Sequence, residues 1–547
     1  MAWMYGGVHL DKLLIPGAAV VLASCGALSA GTDNCDYQNN SDEAFTLLCI
    51  KKAEQPIGDG AGGSDNGSGI PILGNGGSGI PILGNGGSSS GVPILGNGGS
   101  AVGSAGGSTL PSGGAAVGPI ANAGVGPDAN AGSGTTAPSG GSDGLGGGAS
   151  NPLPSGGSGT VAPPGVSLGK IQVSAGTQAR DHTVVSFAFP AGKGKNLVLK
   201  DIQGNQIPLQ VGPLDDNATF VLPSLAAGAQ AEFTVEEAPQ ALPNGITAAQ
   251  EGKHLFVKYG SANVFRWLLE KEVLNNAAAR DQRAGYIFPL YTPGGLNVAD
   301  DYAPDHPHMH GIWSAWTSTT FRGHAVDFWN GYANSGRVDL VNVPTAWSGV
   351  LHGGLVANLK HTDITTNPPV DALKEQWVVT VYKTHDAAPP YYIFDIDSTQ
   401  ETATNDPLVL EQYHYGGFGF RGSLQWRSEG SVQFLTSEGH NRGQADGKTA
   451  KWCAQFGAID GKVVGYAGLG YKGNDRFPEG LRVHPTNPYW SFTASTPASG
   501  GRFSISPGKP YKSRYRVVSF DGPADKNLLN RLWEDFSTPP TVTLLPP

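Results

Sequence analysis

From Gly169 onward the chain alternates short runs of β-forming residues with turn residues, and this grammar constrains the fold more than any other feature. The runs include "KIQVSAG", "HTVVSFAFP", "NLVLKDI", "ATFVLPSL" and "AEFTVEEA". They are rich in Val, Phe, Thr and Ile and are bounded by Gly, Pro, Asn and Asp, the pattern of antiparallel strands. The same pattern continues through "HLFVKYG", "QWVVTVYKTH", "YYIFDIDSTQETA", "GSVQFLTSEG", "KVVGYAGLG" and "SRYRVVSF". A helical period stands out only in "DKNLLNRLWEDF", where Leu528, Leu529, Leu532 and Trp533 share a face. The pattern predicts an all-β protein. A small N-terminal β-sandwich spans 168–247, a larger antiparallel β-sandwich spans 248–525, and a helix and tail occupy 526–547.

What precedes Gly169 reads differently. Residues 56–167 are rich in Gly and Ser and repeat "IPILGNGGS" at Ile70 and Ile80, then "VPILGNGGS" at Val92. Units this short bury too little surface to offset backbone entropy, so a disordered linker is expected. As a random coil it would reach roughly 55–60 Å. Residues 1–25 read as an export signal: "LLIPGAAVVLASCG" is an apolar run after Lys12, too short to span a bilayer and ending in small residues. "LASC" at Leu22–Cys25 resembles the lipobox of bacterial lipoproteins, which implies lipidation at Cys25 and attachment to the membrane through the lipid alone. In the segment 26–55, Cys35 and Cys49 flank a polar stretch and are expected to form a disulfide in an oxidising compartment. The expected location is the bacterial cell envelope, lipid-anchored at the outer membrane or in the periplasm, or outside the cell. The net charge of −10 and the lack of a basic run exclude a nucleic-acid footprint. Cys453 sits among apolar neighbours in "KWCAQFG" and reads as a small buried hydrophobe.

Chemistry-bearing residues concentrate in the larger domain, which holds ten of the 13 histidines between His306 and His484. Three stretches stand out. In "DHPHMHGIWSAW", His306, His308 and His310 alternate; on an extended strand they would share a face. They are then candidates for a metal site of the H-x-H kind, for proton transfer or substrate contact, or for packing. The following "FRGHAVDFWNG" offers Arg322, Asp327 and Trp329, with Asp327 either orienting an imidazole or capping a turn. In "YGGFGFRG", Gly417–Gly422 match G-x-G-x-x-G without the βαβ setting that would give the match meaning. A glycine kink or bulge presenting Arg421 to an anionic or polyhydroxyl ligand is expected instead, or an Arg421 paired with Glu411 or Asp395. In "RVHPTNPYW", two prolines make a stiff loop carrying His484 and Asn487.

Taken in order, "YIFPLYTPGG", "DHPHMHGIWSAW", "DFWNG", "YGGFGFRG", "WCAQFGAIDGKVVGYAG", "HPTNP" and "SRYRVVSFDG" resemble the bacterial PmoA-like family over about residues 250–525. The family carries the label "methane oxygenase PmoA", but the membrane enzyme subunit of that name spans the bilayer, and this chain has no apolar stretch of about 20 residues. The resemblance implies an exported β-sandwich protein of unassigned activity. It implies that Asp305, His306, His308, His310, Trp313, Asp327, Trp329, Gly417, Arg421, His484 and Asn487 lie near one cleft. The chain departs from the family pattern at "HPTNPYW", where an expected arginine is replaced.

Three functions follow as expectations. In the first, the protein is a carbohydrate-active hydrolase or lyase for an extracellular glycan. His308 or His310 moves protons, oriented by Asp305 or Asp327; His306, Trp313, Trp329, Arg322, Arg421, His484 and Asn487 hold substrate. In the second, the same groups make a non-catalytic glycan-binding lipoprotein. In the third, His306, His308 and His310 hold copper or zinc.

Overall fold

A computed structural model describes residues 167–546 apart from 273–275, 385–389 and 429, together with a short backbone ladder pairing Leu13–Ile15 with Ala18–Val20. Cys25, the Cys35–Cys49 pair and the Gly-rich linker lie outside these residues. The protein is all-β, as the alternating runs require. Nearly every quoted run is a strand: "HTVVSFAFP" lies on Arg180–Ala188, "KVVGYAGLG" on Lys462–Gly470 and "YYIFDIDSTQETA" on Tyr391–Thr402.

The first sandwich is a seven-stranded unit around Ile171, Val173, Val185, Leu199, Phe220 and Val235, all fully buried. Its outermost strand is not local. Thr541–Leu545, at the far end of the chain, pairs with Ser167–Ser174 in antiparallel register. The helix before it, Lys526–Ser537, is capped by Asp525, whose carboxylate accepts from the backbone N–H groups of Asn527 and Leu528. It buries Leu529, Leu532, Trp533 and Phe536 against Trp452, Leu469 and Phe520. The helix is fastened to the small sandwich by Arg180, which donates to Asp535 at 2.8 Å and to the Thr538 carbonyl at 2.8 Å; both charged side chains are almost fully buried.

The second sandwich is two eight-stranded antiparallel sheets. One runs Gly480–Val483, Tyr489–Thr493, Gly417–Arg421, Ile312–Ala315, Ile287–Leu290, Ala262–Leu268, His254–Tyr259 and Ile246–Glu251. The other runs Gly336–Trp347, His352–Asp363, Val370–Tyr382, Tyr391–Thr402, Tyr511–Asp521, Lys462–Gly470, Trp452–Ile459 and Val432–Thr436. Aromatic pairs join the two sheets. Phe265 meets Phe394 at 5.1 Å between ring centroids, Trp267 meets Trp377 at 5.7 Å, and Phe418 stacks on Tyr515 at 4.2 Å. Each such side chain, fully buried, contributes about 1.5–3 kcal/mol. A small four-stranded sheet of His324–Val326, Thr319–Phe321, Leu408–Leu410 and Phe503–Ile505 lies alongside. Among the described residues no helix is long and apolar enough to cross a membrane.

Inside the larger core lies a polar knot. Glu375 accepts from His361 Nε2 at 2.7 Å, Trp377 Nε1 at 2.6 Å, Ser398 Oγ at 2.7 Å and Gln400 Nε2 at 3.0 Å. Burial pushes its carboxyl up, but these donors outweigh burial and bring it to about 2.

A candidate acid–base site of imidazoles and a guanidinium

The segment carrying the three alternating histidines is not a strand. Ala303–His306 and His306–Met309 are successive turns, closed by the His306 N–H to the Ala303 carbonyl at 2.9 Å and the Met309 N–H to the His306 carbonyl at 3.0 Å. Pro304 and Pro307 each occupy the second position of a turn, where the ring's fixed φ suits the geometry. The expectation of one shared face is therefore corrected: the proline punctuation breaks the period of two, and the three rings have different surroundings.

His306 stays at the rim. Its Nδ1 lies 3.0 Å from Asp305 Oδ2, and its side chain keeps 9% of its exposure. Asp305 Oδ1 accepts from Arg421 Nη2 at 2.8 Å and lies 3.4 Å from Arg427 Nε. Arg427 also pairs with Asp300. Burial pushes the Asp305 carboxyl up, but the His306 hydrogen bond and the Arg421 charge together hold it well below the ordinary carboxylate range. Asp305 is therefore a lasting anion that accepts a hydrogen bond from His306 Nδ1–H.

Distant strands deliver the remaining members. Arg421 ends the strand Gly417–Arg421 and is in register with Tyr489, which opens the neighbouring strand. The loop before Ile312 is laced across this end: Arg421 N–H donates to the Gly311 carbonyl at 2.7 Å, and Asp300 N–H to the Arg421 carbonyl at 3.1 Å. His484 closes the strand Gly480–Val483, and the stiff Pro485–Pro488 loop folds back on it. His484 Nδ1 accepts from the backbone N–H of Asn487 at 2.9 Å and of Thr486 at 3.3 Å. Its ring centroid lies 5.4 Å from that of His306, with Tyr489 at 5.2 Å and His308 at 5.7 Å from His306. The Asn487 amide lies 3.4 Å from His306 Nδ1.

Asp305, His306, His308, Arg421, His484 and Asn487 thus come together. Five other candidates do not serve as the sequence suggested. His310 is sealed in the core, with Nδ1 2.7 Å from Asp301 and its ring stacked on Tyr286 at 4.4 Å. Burial, with the Arg283 charge, pushes His310 well below the usual imidazole range, and burial pushes Asp301 well above the carboxylate range. Burial thus disfavours charge on both partners, and the pair is enclosed in the core. Asp327 orients no imidazole; it caps a turn by accepting from the N–H groups of Trp329 and Asn330. Trp313 and Trp329 pack against each other with tilted rings 4.1 Å apart, each 2% exposed, so neither offers a face to a sugar. The reason is Gly419, the cross-strand partner of Trp313: a Cβ there would lie 2.8 Å from Trp329 and 2.9 Å from Trp313 Nε1. The indoles fill the space this glycine leaves. Arg322 is bound to Asp406 on the four-stranded sheet.

Two further expectations change. Gly417–Arg421 pairs with both neighbours without a register shift, so no bulge forms, although Gly416 and Gly417 at its start have φ of 119° and 88°. Arg421 is fully enclosed rather than offered to a ligand, and its acid is Asp305; Glu411 pairs with Arg502 and Asp395 with Arg514 and Arg516. Among the described residues no group of three or more His, Cys, Asp or Glu is set to hold a metal ion. A pocket of about 30 Å³ beside His308, His310 and the two indoles has room for about one water. Cys453 is buried, and burial pushes its thiol up.

Asp300, Asp301, Arg427 and Tyr489 escaped the sequence reading. Asp300 and Asp301 adjoin the histidine motif in "ADDYAPDH", and a run of acids beside imidazoles is a signal that was there to use. Arg427 and Tyr489 carry no local signal; sheet register brings in Tyr489, and the turn Leu424–Trp426 after the Arg421 strand brings in Arg427.

The fold and this cluster define a class: a two-sandwich β-protein with two neighbouring, largely buried imidazoles, one held by a carboxylate–guanidinium pair and the other by backbone N–H groups. Residues 254–534 match the Family of unknown function DUF6807, and the chain belongs to that family. No curated protein matches the chain.

Proposed function

We propose that this protein is a carbohydrate-active enzyme of the bacterial cell envelope, a hydrolase or lyase for an extracellular glycan, tethered by lipid at Cys25. The observation that carries the reading is the opposite set of the two imidazoles. Asp305 accepts a hydrogen bond from His306 Nδ1–H, so the neutral ring keeps its proton on Nδ1 and bears its lone pair on Nε2. The Thr486 and Asn487 N–H groups occupy Nδ1 of His484, so the neutral ring carries its proton on Nε2. One ring is poised to accept a proton and the other to donate one, with centroids 5.4 Å apart. General acid–base catalysis needs this division of labour.

His306 is the base and His484 the acid. Asp305 is a positioning residue that fixes the His306 tautomer, and Arg421 holds Asp305. The resemblance to the PmoA-like family supports the reading by singling out these same positions. So does the export signal followed by a long Gly-rich spacer, which suits work on a polymer outside the membrane. The test is product release from a library of envelope and plant oligosaccharides by the full chain. Soluble products that vanish in His306→Asn support the reading. No product from any member overturns it. The anchor is tested by Cys25→Ala, which is expected to move the protein from the membrane to the soluble fraction.

A further inference from the structure

A second cavity lies where the small sandwich meets the outer face of the large one. It has a volume of about 490 Å³, within the ~300–1,000 Å³ typical of small-molecule sites. Its floor is the outward face of Val370–Tyr382, with Thr380 and Tyr382, and the cross-strand neighbours Asp397 and Arg514. Its far wall is the small sandwich, with Asp215 and Asn217. The two walls are locked in place: Gln210 of the small sandwich donates to the His352 carbonyl at 2.9 Å and accepts from the Leu351 N–H at 2.8 Å.

His352 makes this more than a crevice. It is 5% exposed and lines the cavity. Its Nδ1 accepts from Trp347 Nε1 at 3.1 Å, so the neutral ring carries its proton on Nε2. Burial pushes its pKa down to about 4, which keeps the ring neutral at physiological pH. Nε2 is buried and has no partner. A buried donor without an acceptor is unfavourable, and a ligand that supplies an oxygen removes that penalty.

The other groups say what kind of ligand. Asp215 and Asp397 accept; His352 and Arg514 donate; the hydroxyls of Thr380 and Tyr382 do both. Arg514 is already shared between Asp395 at 2.9 Å and Asp397 at 3.2 Å, so no net positive charge waits for an anion. A cation would satisfy the acids and leave the His352 N–H unmatched. A neutral hydroxyl is both donor and acceptor, and a ring carrying several matches the whole lining.

We propose that this inter-sandwich cavity binds a neutral polyhydroxylated ligand, a sugar unit, at a site separate from the His306 cluster, with the His352 Nε2 proton donated to a ligand oxygen. The assignment does not depend on catalysis at His306. It gives the small sandwich a role: it completes a binding site on the back of the large one.

The experiment is calorimetric titration of the full chain with glucose, galactose, N-acetylglucosamine and cellobiose, and with glucuronate and glucosamine as charged probes. The expected result is one site per chain for at least one neutral probe, with no binding of either charged probe. His352→Phe and Asp397→Ser are each expected to weaken binding about tenfold or more. Asp215→Ala, on an exposed loop, gives the same reading if His352→Phe does not fold. Binding is expected to survive His306→Asn, which separates this site from the proposed catalytic one. Absence of binding by every neutral probe, preference for a charged probe, or binding unmoved by Asp397→Ser and Asp215→Ala overturns the proposal.

Discussion

Two imidazole–carboxylate pairs in the large sandwich differ in one respect that separates structure from chemistry. His361 and Glu375 are both 0% exposed at 2.7 Å, and the carboxylate is saturated by an indole, a hydroxyl and an amide as well. His306 and Asp305 meet at 3.0 Å at the rim, where the Asp305 side chain keeps 24% of its exposure. The first pair, on adjacent strands of one sheet, can only tie those strands together inside the core. The second leaves one edge of an imidazole toward the surface, beside a second imidazole of opposite tautomer. What decides the role of such a pair is what lies on the far side of the ring, and not the pair itself.

The largest effect expected from breaking this comparison is on the sealed pair. Glu375→Ala leaves an imidazole and three donors unpaired in the core and is expected to cost about 3–5 kcal/mol, read as a fall in denaturation midpoint. A loss under about 1 kcal/mol would show that the knot is not sealed.

A third carboxyl sharpens the contrast through pH. Glu479 is buried without an imidazole, bound by Tyr515 at 2.5 Å and Tyr511 at 3.3 Å, and burial pushes it up to about 7. Its folded pKa lies above its unfolded value, so it stabilises fully below about pH 4.5. That contribution is lost as pH rises toward about 7. Wild type is expected to lose on the order of 3 kcal/mol from this group across that window. Glu479→Gln removes that part of the slope, and an unchanged difference between the two proteins from pH 4.5 to 7 would contradict it.

The smallest stability effect belongs to the rim. Asp305→Asn keeps one oxygen for Arg421 and is expected to cost about 1–2 kcal/mol. Because Asp305 is held below its unfolded value, its contribution is present above the ordinary carboxylate pKa and is lost as pH falls below it. The variant is therefore expected to lose less stability than wild type on acidification. Greater acid sensitivity in the variant would reverse the assignment.

Strand positions and the helix near the C-terminus were legible because burial on one face leaves a period in the sequence: "DKNLLNRLWEDF" shows its apolar stripe directly. Much of the site was not. "DHPHMH" has the spacing of a strand, yet Pro304 and Pro307 turn it twice, and proline's fixed φ outranks alternation. Trp313 and Trp329 looked like sugar platforms because aromatic content does not report burial; the space they fill is created by Gly419, a hundred residues away. Thr541–Leu545 shows nothing of its partner Ser167–Ser174, since strand pairing at such separation is set by the whole fold. The cavity around His352 is equally silent, because its walls come from different sandwiches. What sequence did show was that imidazoles and a guanidinium recur in segments that converge.

The most direct test of the central claim is the initial rate of glycan product release by wild type and His306→Asn, at equal folded concentration across pH. Measurable turnover by wild type and a fall of about 10²–10⁴-fold in the variant are expected. Turnover unchanged in His306→Asn would contradict it.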